Sequence, residues 1–389
     1  MAEDFETAAQ QLVEEYGLSM PPVHGTEQAR QKYREYLERH RLSEDLVAPI
    51  IQQAAIRPEM RAQLLLGLIE ALKSEDKRYL AVFLDLLRAS LPGVNVNQLI
   101  GRISHSINTD LAALGFSIPE FFAGVYPIGT INAQCEIYDG LPLVLIDQGC
   151  CEMIEAAAVA FLSERNDTEK AELLIAILED YFINRNCPDS SVADHPSVKW
   201  ASGIVPALVT AAEEFVIAHE LGHLVLGHLS ETRFSLEIGG RQPVEVLETT
   251  LREEYLADVW AIRALVLRAR KQADENSLFL SCWGVQFFLL IALLLEAVAV
   301  AHQIPISDQH PAAGDRIYLL EVALDVLGAS EESGSARRFK KVIREVCVLL
   351  QVADRMPPML SRELNRNAVE VFTDLGIEYK QIPYLLGFV

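Results

Sequence analysis

The 389-residue chain predicts an α-rich α+β fold, and three observations carry that prediction. Apolar residues recur at three- and four-residue spacing over long stretches, as amphipathic helices require. Clear strand patterning is confined to one region shortly after residue 116, where "NAQCEIY" and "LPLVLID" flank Asp139-Gly140, a hairpin-turn pair. Half the residues are hydrophobic and 23% are charged, the balance of a packed core rather than of a disordered chain.

The elements follow in order. "RPEMRAQLLLGLIEALKS" opens with Pro58 near a first helical turn, and "DKRYLAVFLDLLRASLPG" stops at Pro92-Gly93. A third helix is expected over "NVNQLIGRISHSINTDLAAL", so residues 1–115 read as a helical N-terminal region. The hairpin comes next, then a helix from about Cys151, then a polar loop at "NCPDSSVADHPSV". Helices resume near Ala201 and again from Val244 to Arg270, before the apolar stretch Leu278 to Ala301. "GASEESGSARR" separates a mostly helical C-terminal segment. The expected division is 1–115, 116–328 and 329–389.

Composition narrows the function. A formal charge of -22, with no basic stripe beyond "ARRFKK", argues against a nucleic-acid partner. Six cysteines show neither metal nor disulfide spacing, and the acidic, amphipathic start is unlike a signal or transit peptide; a reducing cytoplasm is the expected location. The stretch "LFLSCWGVQFFLLIALLLEAVAVA" is long enough to cross a bilayer. It contains Gln286 and Glu296 and has no apolar companion, so a buried core helix is preferred and a membrane span is the alternative.

"EEFVIAHELGHLVLGHL" holds the chemistry. His219 and His223, four residues apart, lie on one helix face and can present two imidazoles to one metal ion. Glu220 sits beside them, placed to take a proton from a metal-activated water. The plain alternative is a core helix with two satisfied histidines. A ligand set of the form HExxHxxGxxH would need histidine at Leu229; His228 is one residue out of register, about 500° of helix past His223 at 3.6 residues per turn, and is expected only near the site. Downstream, "LREEYLADVWAIRAL" puts Glu254 and Asp258 on one face, so that Glu254 could bind the metal while Asp258 orients a histidine. Glu253 competes as ligand but has no aspartate four residues on.

Together these segments resemble gluzincin metallopeptidases of the HtpX and CaaX-prenyl-protease type and their soluble minimal relatives, and more loosely the Lit-type phage-exclusion peptidases. "HELGHLVLGH", the Asn-Ala strand and hairpin of "NAQCEIYDGLPLVLIDQGCCEMI", Glu254-x-x-x-Asp258 and the His-Pro element of "SDQHPAAGDRI" occur in that family's order. The resemblance implies a zincin-like metallopeptidase core with a small sheet, one Zn2+ per chain held by His219, His223 and Glu254, and Glu220 as general base. It further implies Asp258 as an orienting residue, His310 near the reacting carbonyl, Arg316 as structural, and substrate backbone bound along Asn132, Ala133, Gln134 and Cys135.

The expected activity is zinc-dependent endopeptidase cleavage of a protein or peptide. Residues 1–115 would hold the enzyme latent or recruit a regulatory partner, so that deleting them would raise basal proteolysis. The competing expectation is a non-catalytic regulatory or scaffold protein that keeps the gluzincin fold for binding. A membrane partner is not expected.

Overall fold

The computed structural model describes residues 27–39, 96–126, 131–163, 165–179, 204–229, 233–236, 244–247, 251–271, 275–302 and 312–329. The helices expected around 57–74 and 76–93, the loop at 186–198, His310 and the C-terminal segment lie outside them. The described chain is helix-rich with a small three-stranded sheet.

The hairpin forms where the sequence places it. β2 (Ala133–Tyr138) and β3 (Leu141–Asp147) pair antiparallel, with Tyr138 opposite Leu141. Asp139 and Gly140 sit at φ 47 and φ 76, the left-handed pair of a two-residue turn whose twist matches the strands. A strand not foreseen, β1 (Phe122–Tyr126), joins β3 in parallel, giving the order β1-β3-β2. All five β1 residues are buried. A strand covered on both faces does not alternate, and Ala123-Gly124 weakens its propensity further.

Side-chain alternation divides the sheet into two faces. Phe122, Tyr126, Leu143 and Leu145 pack with Ala29, Tyr33 and Tyr36 of α1 (Glu27–Arg39). Ala123, Val125, Val144, Ile146 and Cys135 join the main core on the other face. α1 is anchored to the strands by polar contacts as well. The Tyr33 hydroxyl donates to Val125 O at 2.5 Å, Gln134 Nε2 donates to the Tyr36 hydroxyl at 3.5 Å, and Lys32 Nζ donates to Asp139 O at the hairpin tip.

α2 (Val96–Ala113) also enters the main core, through Ile100, Ile103, Ile107 and Leu111. A boundary at residue 115 therefore cuts through a single packed core. Arg268, buried, ties α2 to the rest by donating to Asp110 (2.8 Å) and Ser106 (2.9 Å) while pairing with Glu214 (2.9 Å).

The remaining helices are α3 (Gln148–Leu162), α4 (Asp167–Glu179), α5 (Ile204–Leu226), α6 (Leu251–Lys271), α7 (Glu275–Ala301) and α8 (Ala313–Val326). A second strand pair, β4 (Arg233–Leu236) with β5 (Val244–Leu247), separates α5 from α6, so the helix expected from Val244 starts instead at Leu251. α5 is the central element, packed between α3, α6 and α7 and against β2 and β3.

Two glycines let neighbours approach closely. A Cβ on Gly222 of α5 would lie 3.0 Å from the Ala257 backbone of α6, and one on Gly284 of α7 would lie 2.4 Å from the backbone of Ala211 of α5. The first contact brings the histidine face of α5 onto the Glu254–Asp258 face of α6. The second seats α7 against α5.

α7 contains the one described helix long and apolar enough to cross a membrane; 78% of its apolar window is buried inside the protein. Glu296, the acid within it, accepts a hydrogen bond from the Ala313 N–H at 2.8 Å. Ala313 opens α8, so this carboxylate satisfies one of the orphan donors of a helix N-terminus and meets the positive end of its dipole.

Candidate metal centre

α5 and α6 build the site between them. His219 and His223 are one helical turn apart on α5, and Glu254 and Asp258 one turn apart on α6, all four buried. The two histidine Nε2 atoms lie 3.1 Å apart. Glu254 faces both, with Oε2 3.4 Å from His219 Nε2 and Oε1 3.4 Å from His223 Nε2. Of the two glutamates that compete in the sequence, Glu254 is thus the one that reaches the histidines.

This donor set fits a metal ion. Donor atoms of His219, His223 and Glu254 all lie within 4.8 Å of one another, the only such group among the described residues. In a tetrahedral centre with bonds of about 2.0–2.1 Å, neighbouring donors sit about 3.3–3.4 Å apart. The spacings of 3.1 and 3.4 Å are close to those edges.

The other ring nitrogen of His219 is held from outside. Its Nδ1 lies 2.8 Å from Asp258 Oδ1. Asp258 in turn receives two hydrogen bonds from Arg316 of α8, Nε to Oδ2 and Nη2 to Oδ1, both 2.7 Å. This is a two-pronged guanidinium–carboxylate pair, the geometry that best offsets the burial of both charges. Burial opposes the charge on Asp258, yet Arg316 first and His219 second hold its carboxyl below the usual range. Burial likewise opposes a charged Arg316, and Asp258 outweighs it and pushes the guanidinium pKa up.

The two histidines divide sharply. Burial disfavours a charged His219, but hydrogen bonds to Asp258 and Glu254 overcome it and push the ring up to about 10. Burial and the neighbouring His219 charge push His223 down to about 3. The site thus draws one positive charge to the space between two imidazoles and Glu254. A metal ion held by His219, His223 and Glu254 would supply that positive charge in place of the proton.

Glu220 is buried beside His219. Burial first and the Glu220 carboxylate second push the Cys135 thiol of β2 upward; at Cys150, at the start of α3, burial, Asp147 and Glu213 act ahead of Glu220. Glu220 therefore lies on the sheet side of the site. Among the described residues β2 is one of the two edge strands of the three-stranded sheet, and Cys135 points to the same face as the motif helix. Asn132, Ala133 and Gln134 run along that edge; Asn132 O accepts the Asp147 N–H at 2.9 Å, and Gln134 faces α1. The structure thus gathers His219, His223, Glu254, Asp258 and Arg316 directly, with Glu220 and β2 adjoining.

His228, expected near the site, comes back against His223 itself, their Nδ1 atoms 3.2 Å apart. The signal was Gly227, a glycine at the position that ends a helix in the left-handed conformation. Further along the histidine helix, Glu213 is buried against Glu155 of α3. Burial and then Glu155 raise its carboxyl to about 8, a thiol hydrogen bond from Cys151 only partly reversing this.

The family model described as Peptidase U49 matches residues 163–336. That span carries α5, α6 and Arg316, and it supports a peptidase. It does not select the HtpX or CaaX type. No curated protein and no solved structure matches the chain.

Proposed function

We propose that the chain is a zinc-dependent endopeptidase of the gluzincin kind, acting in the cytoplasm on a protein or peptide. The observation that carries this reading is the convergence of His219, His223 and Glu254 with tetrahedral spacing beside Glu220. Two imidazoles and one carboxylate leave a fourth position open, the donor set of a hydrolytic zinc rather than of a structural one.

When bound, zinc would supply Lewis acidity toward the scissile carbonyl and make a water more acidic. His219, His223 and Glu254 would hold the ion; Asp258, fixed by Arg316, keeps the His219 Nδ1 proton in place, so that Nε2 offers its lone pair to the site. Glu220 takes the proton from the attacking water and passes it to the leaving amine nitrogen. β2 lies at one edge of the three-stranded sheet among the described residues, and an extended substrate segment would add along Asn132 to Cys135 as a further strand. His310 is assigned near the reacting carbonyl on resemblance alone.

The test pairs metal analysis with cleavage-site mapping. One zinc per chain is expected, with Glu220→Gln retaining the metal and losing proteolysis by at least about a hundredfold. A purified chain that takes up no zinc sinks the proposal. Zinc binding with biological activity unchanged in Glu220→Gln would favour a binding protein instead.

A further inference from the structure

The helix that carries both histidines ends in a way that recruits a third. α5 stops at Leu226, Gly227 takes φ 73, and its N–H reaches Leu224 O at 3.4 Å. The next N–H, that of His228, donates to His223 O at 2.9 Å. These two bonds form the six-to-one and five-to-two pattern that caps helices through a left-handed residue. A Cβ on Gly227 would meet nothing within 4 Å, so glycine is required there by conformation rather than by space.

Continued as helix, residue 228 would point away from His223. Reversed by Gly227, it lies over the same turn. Its ring meets that of His223 edge-on, with centroids 5.3 Å apart, planes at 69° and both side chains buried. The nitrogens that face each other are Nδ1 and Nδ1, at 3.2 Å. His223 uses its opposite nitrogen, Nε2, toward His219 and Glu254.

We propose that His228 is the positioning residue of His223, accepting its Nδ1–H and so fixing the ring with the Nε2 lone pair directed at the metal. This rests on the zinc reading above and deepens it. The assignment determines both tautomers: His223 carries its proton on Nδ1, and His228, the acceptor at Nδ1, carries its own on Nε2.

The two ligands are then oriented by different chemistry. His219 has an ionised partner, Asp258, whose charge Arg316 offsets. His223 has a neutral one. With Glu220 and Glu254 ionised, their two negative charges match a divalent cation; a carboxylate at residue 228 would leave the buried site one charge in excess. A neutral acceptor orients the ring without adding that charge.

The experiment measures zinc affinity by chelator competition on the full chain, for wild type, His228→Phe and His228→Asn, with thermal unfolding of each apo protein as a folding control. His228→Phe keeps a buried ring and removes the acceptor; it is expected to weaken zinc binding about 10–100-fold, the usual effect of losing a ligand's orienting partner. His228→Asn restores an acceptor oxygen and is expected to recover much of that loss. In the zinc-loaded wild type, nitrogen-15 shifts should report protonated Nδ1 on His223 and protonated Nε2 on His228. A loss smaller than about tenfold in His228→Phe, or equal losses in both variants, overturns the assignment. So does a loss beyond about 1,000-fold, which would make His228 a ligand itself. If wild type binds no zinc, the metal reading falls and this proposal with it; if wild type binds zinc and the variants match it, only the role of His228 falls.

Discussion

Two buried acidic groups on opposite sides of α5 have opposite fates. On the α6 side, Asp258 lies between Arg316 and His219 and is held ionised. On the α3 side, Glu213 meets Glu155 and a thiol, and is held protonated up to about pH 8. Among the described residues, Glu213 Oε2 has no hydrogen-bond partner. Burial is nearly equal, 1% exposure for Asp258 and 3% for Glu213, so burial does not decide the charge. A guanidinium in two-pronged contact does. Glu214, next to Glu213 in sequence, faces the other way and pairs with Arg268 at 2.9 Å.

The largest test of that contrast removes the cation. Arg316→Met leaves the buried Asp258 charge with His219 alone to offset it, and is expected to cost about 3–5 kcal/mol in denaturant unfolding, with weaker metal uptake. Restoring most of that stability with Asp258→Asn in the same chain would show that the penalty is electrostatic. No loss in the single variant would mean that Arg316 and Asp258 are not paired.

The second test acts on the other side. Glu213 has a folded pKa of about 8 against an ordinary 4.5, so between these values the native state holds a proton that the unfolded chain releases. Its contribution therefore falls as pH rises from about 5 to 8 and levels off above. Glu213→Gln should match wild type near pH 5 and exceed it near pH 8, by an amount on the order of a few kcal/mol. A constant difference at both pH values would show that Glu213 is ionised throughout.

The smallest effect is expected at the surface. Lys32 pairs with Asp139 at 3.2 Å, but the Asp139 side chain is 78% exposed. Lys32→Ala should change stability by less than about 1 kcal/mol, and less again in high salt.

α1 and α2 revise what truncation would do. Removing residues 1–115 strips Ile100, Ile103, Ile107 and Leu111 from the main core and uncovers Phe122, Tyr126, Leu143 and Leu145. Loss of the folded state is the expected outcome, in place of the raised proteolysis that a separable inhibitory region would give.

The sequence makes legible what local chemistry determines. Asp139-Gly140 allows little besides a tight hairpin, and paired residues four apart locate the two site faces before any packing is known. β1 escapes because parallel pairing and burial on both faces erase alternation. β4 and β5 escape because four residues each are too few for periodicity to register. Helical geometry places His228 only near the site; its contact with His223 comes from the reversal at Gly227. The shared core of α2 depends on long-range contacts such as Arg268 with Asp110, which no sequence window contains.

Glu296 carries one further consequence. In the hydropathy of α7 it is an outlier, the single acid of an apolar run. In three dimensions it fixes the first N–H of α8, and Arg316 follows Ala313 by less than one turn. The phase of α8, and so the reach of Arg316 to Asp258 and of Asp258 to His219, is referenced to a carboxylate on the most apolar of the described helices. Four helices thus share one alignment mark, and a lateral shift of α7 would be felt at His219 through Arg316 and Asp258.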